Sequence, residues 1–184
     1  MTTAAEPSQP RTGQPLQGPT VSGPAVLRTM VPADIDFITA LDAQLFGVDC
    51  WPRYMFEDEL ARPETRRYII AEVPDGVGDL QIAGYAGLMC MAPVGDIQTI
   101  GVLPEFEGRG IARAMMADLI AEAVLRGAQE MMLEVSSANP RAQDLYRRYG
   151  FEHIHTRRKY YRDGSDGLIM RLTLPAATDE KDPS

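Results

Sequence analysis

One stretch of the sequence has the composition of an anion-binding loop. Residues 102–112 (V-L-P-E-F-E-G-R-G-I-A) lead into a segment of regularly spaced apolar residues, and Gly108, Gly110 and Ala112 let a ligand approach the backbone. The free N–H groups of a first helical turn and the positive end of the helix dipole favour a phosphate there. A plain glycine turn is the alternative. The dinucleotide-binding and Walker patterns do not match, because Arg113 stands at the third glycine position and no lysine follows Gly110.

A single carboxylate, Glu134, interrupts the apolar run M-M-L-E-V at residues 131–135. Removing an unpaired carboxylate from water is costly, so such a group usually has a function or a partner. Burial also raises a carboxyl pKa towards the range of a general base. From the residues alone, a catalytic base and a structural glutamate, either at a strand end or paired with a nearby arginine, are equally good interpretations.

Asn139 and Tyr146 are seven residues apart on a predicted helix, which begins with Asn139 as its N-cap and a proline in the first turn. Seven residues are about two helical turns, so both side chains lie on one face and can line one groove. Tyr146 shares that face with Ala142, Leu145 and Tyr149. A buried core tyrosine with a satisfied hydroxyl is therefore the alternative to a catalytic phenol.

Strands and helices alternate at short intervals between residues 25 and 174, which predicts one α/β domain with helices on both faces of a mixed sheet. Residues 1–24 and 175–184 have few large apolar side chains, and we expect both to be disordered tails. Strands are predicted near 25–30, 68–73, 82–91, 97–103, 131–135, 151–156 and 168–174, and helices near 32–45, 53–60, 111–126 and 140–149.

Charge and composition narrow the functional classes. The 184-residue chain carries a formal net charge of −8, which disfavours binding to nucleic acid and favours a cationic partner. No apolar run reaches the roughly 20 residues that span a bilayer, and the first 24 residues lack the features of a signal peptide. We therefore expect a cytoplasmic protein without a membrane partner. Cys50 and Cys90 have no disulfide or zinc spacing, and His153 and His155 lack a third ligand, so no metal is expected.

The loop at 102–112 resembles the acetyl-CoA pyrophosphate loop of the GNAT family of N-acetyltransferases, whose pattern is Gln or Arg, two residues, Gly, one residue, then Gly or Ala. The order of elements over residues 25–174 is similar to that fold. The resemblance implies acetyl-CoA as the acetyl donor, and a mostly antiparallel sheet whose middle strands splay apart. Backbone N–H groups of the loop would hold the pyrophosphate, and the strand around 100–102 would pair with the pantetheine arm. The implied cofactor contacts are Ile100, Gly101, Val102, Glu107, Gly108, Arg109, Gly110, Ile111, Ala112, Asn139 and Tyr146.

One loop residue departs from the family pattern. Glu107 stands where Gln or Arg is usual, which brings a negative charge close to the expected phosphates. The backbone donors are unaffected by this change, and we expect Arg109 and Arg113 to offset the charge. The affinity for acetyl-CoA should therefore fall little, if at all.

Within the family, further stretches are similar to the RimI-like ribosomal-protein alanine N-acetyltransferases: M-L-E-V at 132–135, Asn139, L-Y at 145–146, G-F at 150–151 and R-R-K-Y-Y at 157–161. This resemblance implies that Glu134 is the general base, Tyr146 the general acid, and Asn139 a hydrogen-bonding partner of the cofactor arm. Glu134 would take a proton from the acceptor ammonium through water, N–H groups near Val102 would stabilise the oxyanion, and Tyr146 would protonate the CoA sulfur. Neither cysteine lies in a nucleophile motif, so direct transfer is expected.

The resemblance also implies the acceptor, the N-terminal α-amine of a small-subunit ribosomal protein that begins with alanine. An α-amine titrates near pH 8 and a lysine near 10.4, so freeing the lysine amine at neutral pH costs about 3 kcal/mol more. Residues 32–60 carry seven acids against one arginine, so this segment holds −6 of the net −8. In this fold the segment borders the acceptor groove, with Trp51, Tyr160 and Tyr161 as expected walls, and its acidity should attract a basic peptide. A solvated acidic face is the alternative.

Two other functions compete with this prediction. A GNAT enzyme can acetylate lysine side chains or small-molecule amines, since the cofactor residues do not specify the acceptor. A non-catalytic acetyl-CoA sensor or interaction module is a different class, and such a protein would keep the loop and lose the catalytic pair. Glu134 and Tyr146 are both present, which favours an enzyme.

Overall fold

A computed structural model describes residues 25–175. The predicted tail at 1–24, and all but the first residue of the one at 175–184, lie outside this range. The strands are β1 (Val26–Thr29), β2 (Arg66–Pro74), β3 (Leu80–Met91), β4 (Val94–Val102), β5 (Glu130–Ser136), β6 (Glu152–Arg157) and β7 (Gly167–Thr173). The α-helices are α1 (Ile35–Phe46), α2 (Arg53–Leu60), α3 (Ile111–Leu125) and α4 (Pro140–Arg148), and 3-10 turns lie at Pro32–Asp34, Gly47–Asp49 and Pro104–Phe106.

The strands form one seven-stranded sheet in the order β1-β2-β3-β4-β5-β7-β6. Neighbouring strands are antiparallel except β4 and β5, which run parallel. Their pairing covers only Val94–Ile97 against Glu130–Leu133, and the remainder of β4 diverges from β5. The predicted mixed, mostly antiparallel sheet with splayed middle strands is therefore confirmed.

A β-bulge marks the point at which β4 leaves β5. Gly87 pairs with Thr99 and Leu88 pairs with Ile97, which leaves Gln98 as the extra residue on β4. A bulge increases the local twist and redirects the strand. The Tyr68 hydroxyl, from β2, donates to Gln98 Oε1 at 2.9 Å. Residue 87 must be glycine, because a Cβ there would collide with the ring of Tyr68.

Helices cover both faces of the sheet, as predicted. On one face a Cβ at Gly95 would lie 3.4 Å from Ala123 of α3, and on the other a Cβ at Gly101 would lie 2.6 Å from Leu45 of α1. Two apolar layers result, and each fully buried large side chain contributes roughly 1.5–3 kcal/mol to the free energy of unfolding. Ile38, Ile69, Ile70, Leu88, Met115, Met116, Leu119, Met131 and Met170 are among these side chains. No helix within residues 25–175 is long and apolar enough to cross a bilayer.

Candidate active site

The divergence of β4 from β5 opens a cleft that contains two adjoining cavities. The first, of about 670 Å³, lies over the glycine loop and the start of α4. The second, of about 640 Å³, lies between the α1–α2 connection, the carboxyl end of β5 and the β6–β7 connection. Ile100, Asn139, Ala142 and Tyr146 line both. Two ligands, one in each cavity, would therefore meet beside these shared residues, which include Tyr146.

The glycine loop forms the floor of the first cavity. Gly110 is the N-cap of α3 with φ 82°, and Gly108 has φ 76°, a left-handed conformation that favours glycine. A Cβ at either residue would meet nothing within 4 Å, so the space beside them is open. The first N–H groups of α3 have no partner inside the helix. The loop thus has the form that an anion requires.

Ten of the eleven predicted cofactor contacts line the first cavity, and the exception is Arg109. The Arg109 guanidinium donates to the carbonyl oxygen of Glu105 at 3.0 Å and lies 5.2 Å from the centre of the Phe106 ring. Its side chain therefore packs on the loop itself.

Glu107 forms an ion pair with Arg141, which lies in the first turn of α4 on the opposite wall of the cavity. The sequence predicts that Arg109 and Arg113 offset the charge of Glu107, whereas the ion-pair partner in the structure is Arg141. The two partners are 34 residues apart in sequence, and only the placement of α4 beside the loop brings them together. Sequence spacing offered no signal for this pair.

The start of α4 is fixed by side chains, as its sequence predicts. Asn139 Oδ1 accepts from the Ala142 N–H at 3.0 Å, with Pro140 in the first turn. The buried Gln143 amide donates to the carbonyl oxygens of Ser136 at 3.0 Å and Ser137 at 3.2 Å, which ties α4 to the end of β5. The cap uses the oxygen of the Asn139 amide, and its NH₂ group can donate to a ligand.

Tyr146 is both a core residue and a cavity residue. It is 5% exposed, and its ring lies 6.1 Å from that of Phe151. Burial raises the pKa of its phenol, so the hydroxyl keeps its proton at neutral pH. Within residues 25–175 no protein group accepts a hydrogen bond from this hydroxyl. The ring is therefore buried, as the core interpretation requires, but the satisfied hydroxyl of that interpretation is not found among the described residues.

Glu134 lines the second cavity from β5, with its side chain 20% exposed. Arg157 Nη1 donates to Glu134 Oε2 at 2.9 Å. Burial raises the pKa of this carboxyl above its ordinary value, against the opposing charge of Arg157, and the carboxylate of Asp96 adds to the rise. The arginine partner that the structural interpretation required thus exists. It leaves the carboxylate in the cavity with a raised pKa, as a base requires.

The predicted walls Trp51, Tyr160 and Tyr161 all line the second cavity. Trp51 packs on Phe56 with ring centres 5.5 Å apart, and Tyr160 meets Tyr161 edge to face at 5.3 Å. Burial, followed by the charge of Glu134, raises the pKa of Tyr161 to about 12. The wall is therefore aromatic, and Tyr161 is uncharged near pH 7.

A buried network behind Trp51 was not predicted. Asp42 of α1 is 1% exposed and accepts from the Trp51 N–H at 2.6 Å and from the Tyr85 hydroxyl. The Thr99 hydroxyl donates to the Tyr85 oxygen at 3.2 Å. Burial raises the pKa of Asp42, against these hydrogen bonds. The available signal was an aspartate next to Leu41, on the apolar face of α1.

The acidic segment at 32–60 does not face the acceptor cavity as a whole, so that part of the charge prediction is wrong. Four of its acids form ion pairs with arginines: Asp34 with Arg28, Asp36 and Glu57 with Arg53, and Glu59 with Arg66. Of the seven acids in this segment, Asp42 and Asp49 line the cavity.

Asp96 and Glu134 complete the charge of this cavity. The described lining contains four carboxylates and two guanidiniums, those of Arg157 and Arg162, so its formal charge is −2. Burial raises the pKa of Asp96, and Arg157 opposes this. Asp96 was missed because the strand was predicted to begin at Ile97, whereas β4 begins three residues earlier, at Val94.

The sequence matches a known protein family and is similar to individual bacterial proteins. Residues 35–151 match the Acetyltransferase (GNAT) family. The chain is 35% identical over 167 residues to the N-alpha-acetyltransferase RimI of Mycobacterium tuberculosis, covering 88% of this chain and 96% of that one. It is 32% identical over 99 residues to a ribosomal-protein alanine N-acetyltransferase of Salmonella typhimurium, covering 52% and 67%. An uncharacterized protein of Mycobacterium leprae is 35% identical over 154 residues, and this chain spans 40% of its length.

A solved structure shares the fold. The ribosomal-protein alanine N-acetyltransferase from Escherichia coli superposes with a TM-score of 0.72 and 24% identity, covering 85% of this chain and 97% of that one.

Proposed function

Since the chain belongs to the GNAT acetyltransferase family, we propose that it transfers the acetyl group of acetyl-CoA to the N-terminal α-amine of a basic protein, with a ribosomal protein that begins with alanine as the expected acceptor. The observation that carries this proposal is the meeting of the two cavities at Tyr146, with Glu134 on the acceptor side. A base and an acid then stand on either side of the point of transfer.

The first cavity fits acetyl-CoA, which supplies the acetyl thioester. Gly108 and Gly110 hold left-handed backbone beside open space, so the loop N–H groups can approach a pyrophosphate. From Gln98 to Val102, β4 is not paired with β5, and this open strand edge suits an extended pantetheine arm. Asn139 offers its NH₂ group at the point where the arm would pass from one cavity to the other.

Glu134 acts as the general base. The acceptor arrives as an ammonium ion and must lose a proton before its nitrogen can attack the thioester carbonyl. The carboxylate of Glu134 takes that proton, directly or through water, and its raised pKa makes it a better acceptor than an ordinary glutamate. Arg157 keeps the carboxylate oriented through its 2.9 Å hydrogen bond.

Tyr146 acts as the general acid. Its buried phenol holds a proton at neutral pH and lies where the two cavities join. As the carbon–sulfur bond breaks, the hydroxyl donates this proton to the departing thiolate. The acceptor nitrogen loses two protons in all, the first to Glu134 before the attack and the second as the amide forms. One equivalent goes to the sulfur through Tyr146 and the other is released to solvent, which also restores the phenol and the carboxylate.

The shape and charge of the second cavity favour a basic chain terminus. The flat walls of Trp51, Tyr160 and Tyr161 suit an extended peptide, and the lining charge of −2 attracts a cation. The Mycobacterium tuberculosis relative is named an N-alpha-acetyltransferase, and the Salmonella relative is named for a ribosomal-protein alanine. Both names support an α-amine as the acceptor. A ribosomal acceptor also agrees with the cytoplasmic location expected from the sequence.

The test is a panel of acceptors incubated with acetyl-CoA, with release of CoA measured by thiol titration and products identified by mass spectrometry. The panel contains basic peptides that begin with alanine, serine or glycine, a peptide with a blocked N-terminus, free lysine and a polyamine. The alanine peptides should be acetylated fastest. Faster turnover of the lysine or polyamine would assign a different acceptor, and binding of CoA without turnover of any amine would indicate a sensor.

A further inference from the structure

The ion pair between Glu107 and Arg141 spans the first cavity. Glu107 ends the turn before Gly108, Arg141 lies in the first turn of α4, and both side chains line the cavity. The side chains are 41% and 65% exposed, so water screens their attraction. The pair therefore contributes little to the stability of the fold and can be exchanged for a stronger contact.

The Glu107 carboxylate shows where Arg141 can hold an anion. A guanidinium presents a planar set of donors that matches the oxygens of a phosphate as well as those of a carboxylate. Glu107 precedes the loop N–H groups by a few residues, so Arg141 in this position reaches across to the site at which those groups would bind a pyrophosphate. The carboxylate of Glu107 cannot donate a hydrogen bond to a phosphate, and Arg141 of α4 supplies a donor at this point of the loop.

We propose that Arg141 is a ligand of the acetyl-CoA pyrophosphate, and that Glu107 holds its guanidinium over the loop until the phosphates displace the carboxylate. This rests on the proposed function, in which acetyl-CoA is the donor. Arg113 and Arg148 also line the cavity. Arg141 differs from them because it already binds an anionic group of the loop.

Calorimetry with CoA on the purified full chain tests the proposal without any acceptor. Arg141→Gln should weaken CoA binding about 10-fold, the loss expected for one charge-assisted contact in a partly exposed site. Arg171→Gln is the matched control, since Arg171 is a partly exposed arginine that pairs with Glu130 and lines neither cavity. The control should bind CoA like the wild type. Glu107→Gln should bind equally well or more tightly, because it frees Arg141 and removes a negative charge.

A second ligand distinguishes contact with the pyrophosphate of CoA from contact with its 3′-phosphate. Dephospho-CoA lacks the 3′-phosphate and keeps the pyrophosphate, so Arg141→Gln should weaken its binding about 10-fold as well. A penalty seen with CoA and absent with dephospho-CoA would overturn the pyrophosphate assignment. Equal losses for Glu107→Gln and Arg141→Gln would show that the pair only stabilises the loop, and wild-type affinity of Arg141→Gln would remove Arg141 from the site. None of these results depends on amine acetylation, which the acceptor panel measures separately.

Discussion

The carboxylate of Glu134 packs directly against Gly167 on the neighbouring strand β7. A Cβ at residue 167 would lie 3.1 Å from Glu134 Cδ and 3.2 Å from both Glu134 Oε1 and Tyr160 Cδ1. Gly167 does not have a positive φ, so its backbone conformation does not require glycine. It is the side chains of the proposed base and of the acceptor wall that need the space.

Gly167→Ala should therefore displace Glu134 and Tyr160 by a few tenths of an ångström. Small displacements of a catalytic group reduce the rate steeply, and we expect kcat to fall about 10-fold. The affinity for CoA, measured by calorimetry, should stay unchanged because the first cavity is not affected. A variant with wild-type kcat would show that Glu134 is not held in place by this contact.

Tyr146→Phe should lower kcat by ~10²- to 10⁴-fold, the usual contribution of a positioned general acid. The aromatic ring and its packing on Phe151 remain, so the melting temperature and the affinity for CoA should be retained. Tyr149→Phe is the control: Tyr149 is the C-cap residue of the same helix, and its hydroxyl donates to the Arg113 carbonyl oxygen at 2.6 Å. Similar rates for the two variants would leave Tyr146 as a core residue only.

The pH dependence of kcat/KM should report the ionisation of Glu134. A base acts when deprotonated, so the rate rises with pH through the pKa of Glu134, which burial has raised. The facing charges are those of Asp96 from β4 and Arg157 from β6, with the phenol of Tyr160 beside them. Asp96→Asn removes a negative charge and should move the midpoint to lower pH, whereas Arg157→Gln should move it to higher pH.

Glu134→Gln should abolish this ionisation and lower kcat by a similar factor to the loss of other general bases, ~10²- to 10⁴-fold. All profiles use one peptide, so that the ionisation of the acceptor amine is common to every variant. Midpoints that do not move in either direction would mean that another group is the base.

The network around Asp42 should act on acceptor binding and stability. Asp42→Ala leaves the Trp51 N–H and the Tyr85 hydroxyl without their acceptor, which costs roughly 1–3 kcal/mol of unfolding free energy in urea titrations. Trp51 then loses its anchor, and KM for the peptide should rise more than kcat falls. Asp36→Ala, at an exposed position of the same helix that pairs with Arg53, should change neither. An unchanged peptide KM in Asp42→Ala would contradict the role given to this network.

Local patterns predicted the parts of the site that local interactions build. Asn139 caps α4 through a residue three positions away, and Gly110 begins α3 because its own backbone is left-handed. The fold followed from the order of such elements. The missed residues depend on distant partners: Asp42 needs Tyr85 to explain its burial, and Arg141 reaches Glu107 only across the finished cleft. The prediction that the whole 32–60 segment presents its charge to the acceptor failed for the same reason, because two of the arginines that pair with its acids, Arg28 and Arg66, lie in other elements.

The identity of the acceptor amine is the central claim, and a matched pair of peptides tests it most directly. Both peptides begin with alanine followed by arginine and contain one internal lysine, and one of them carries a blocked N-terminus. Mass spectrometry locates the acetyl group, and kcat/KM is measured at low and high salt. We predict acetylation at the α-amine of the free peptide, almost none of the blocked one, and a kcat/KM that falls with salt because the acceptor cavity is negatively charged. Equal acetylation of the lysine in the blocked peptide would contradict the proposed function.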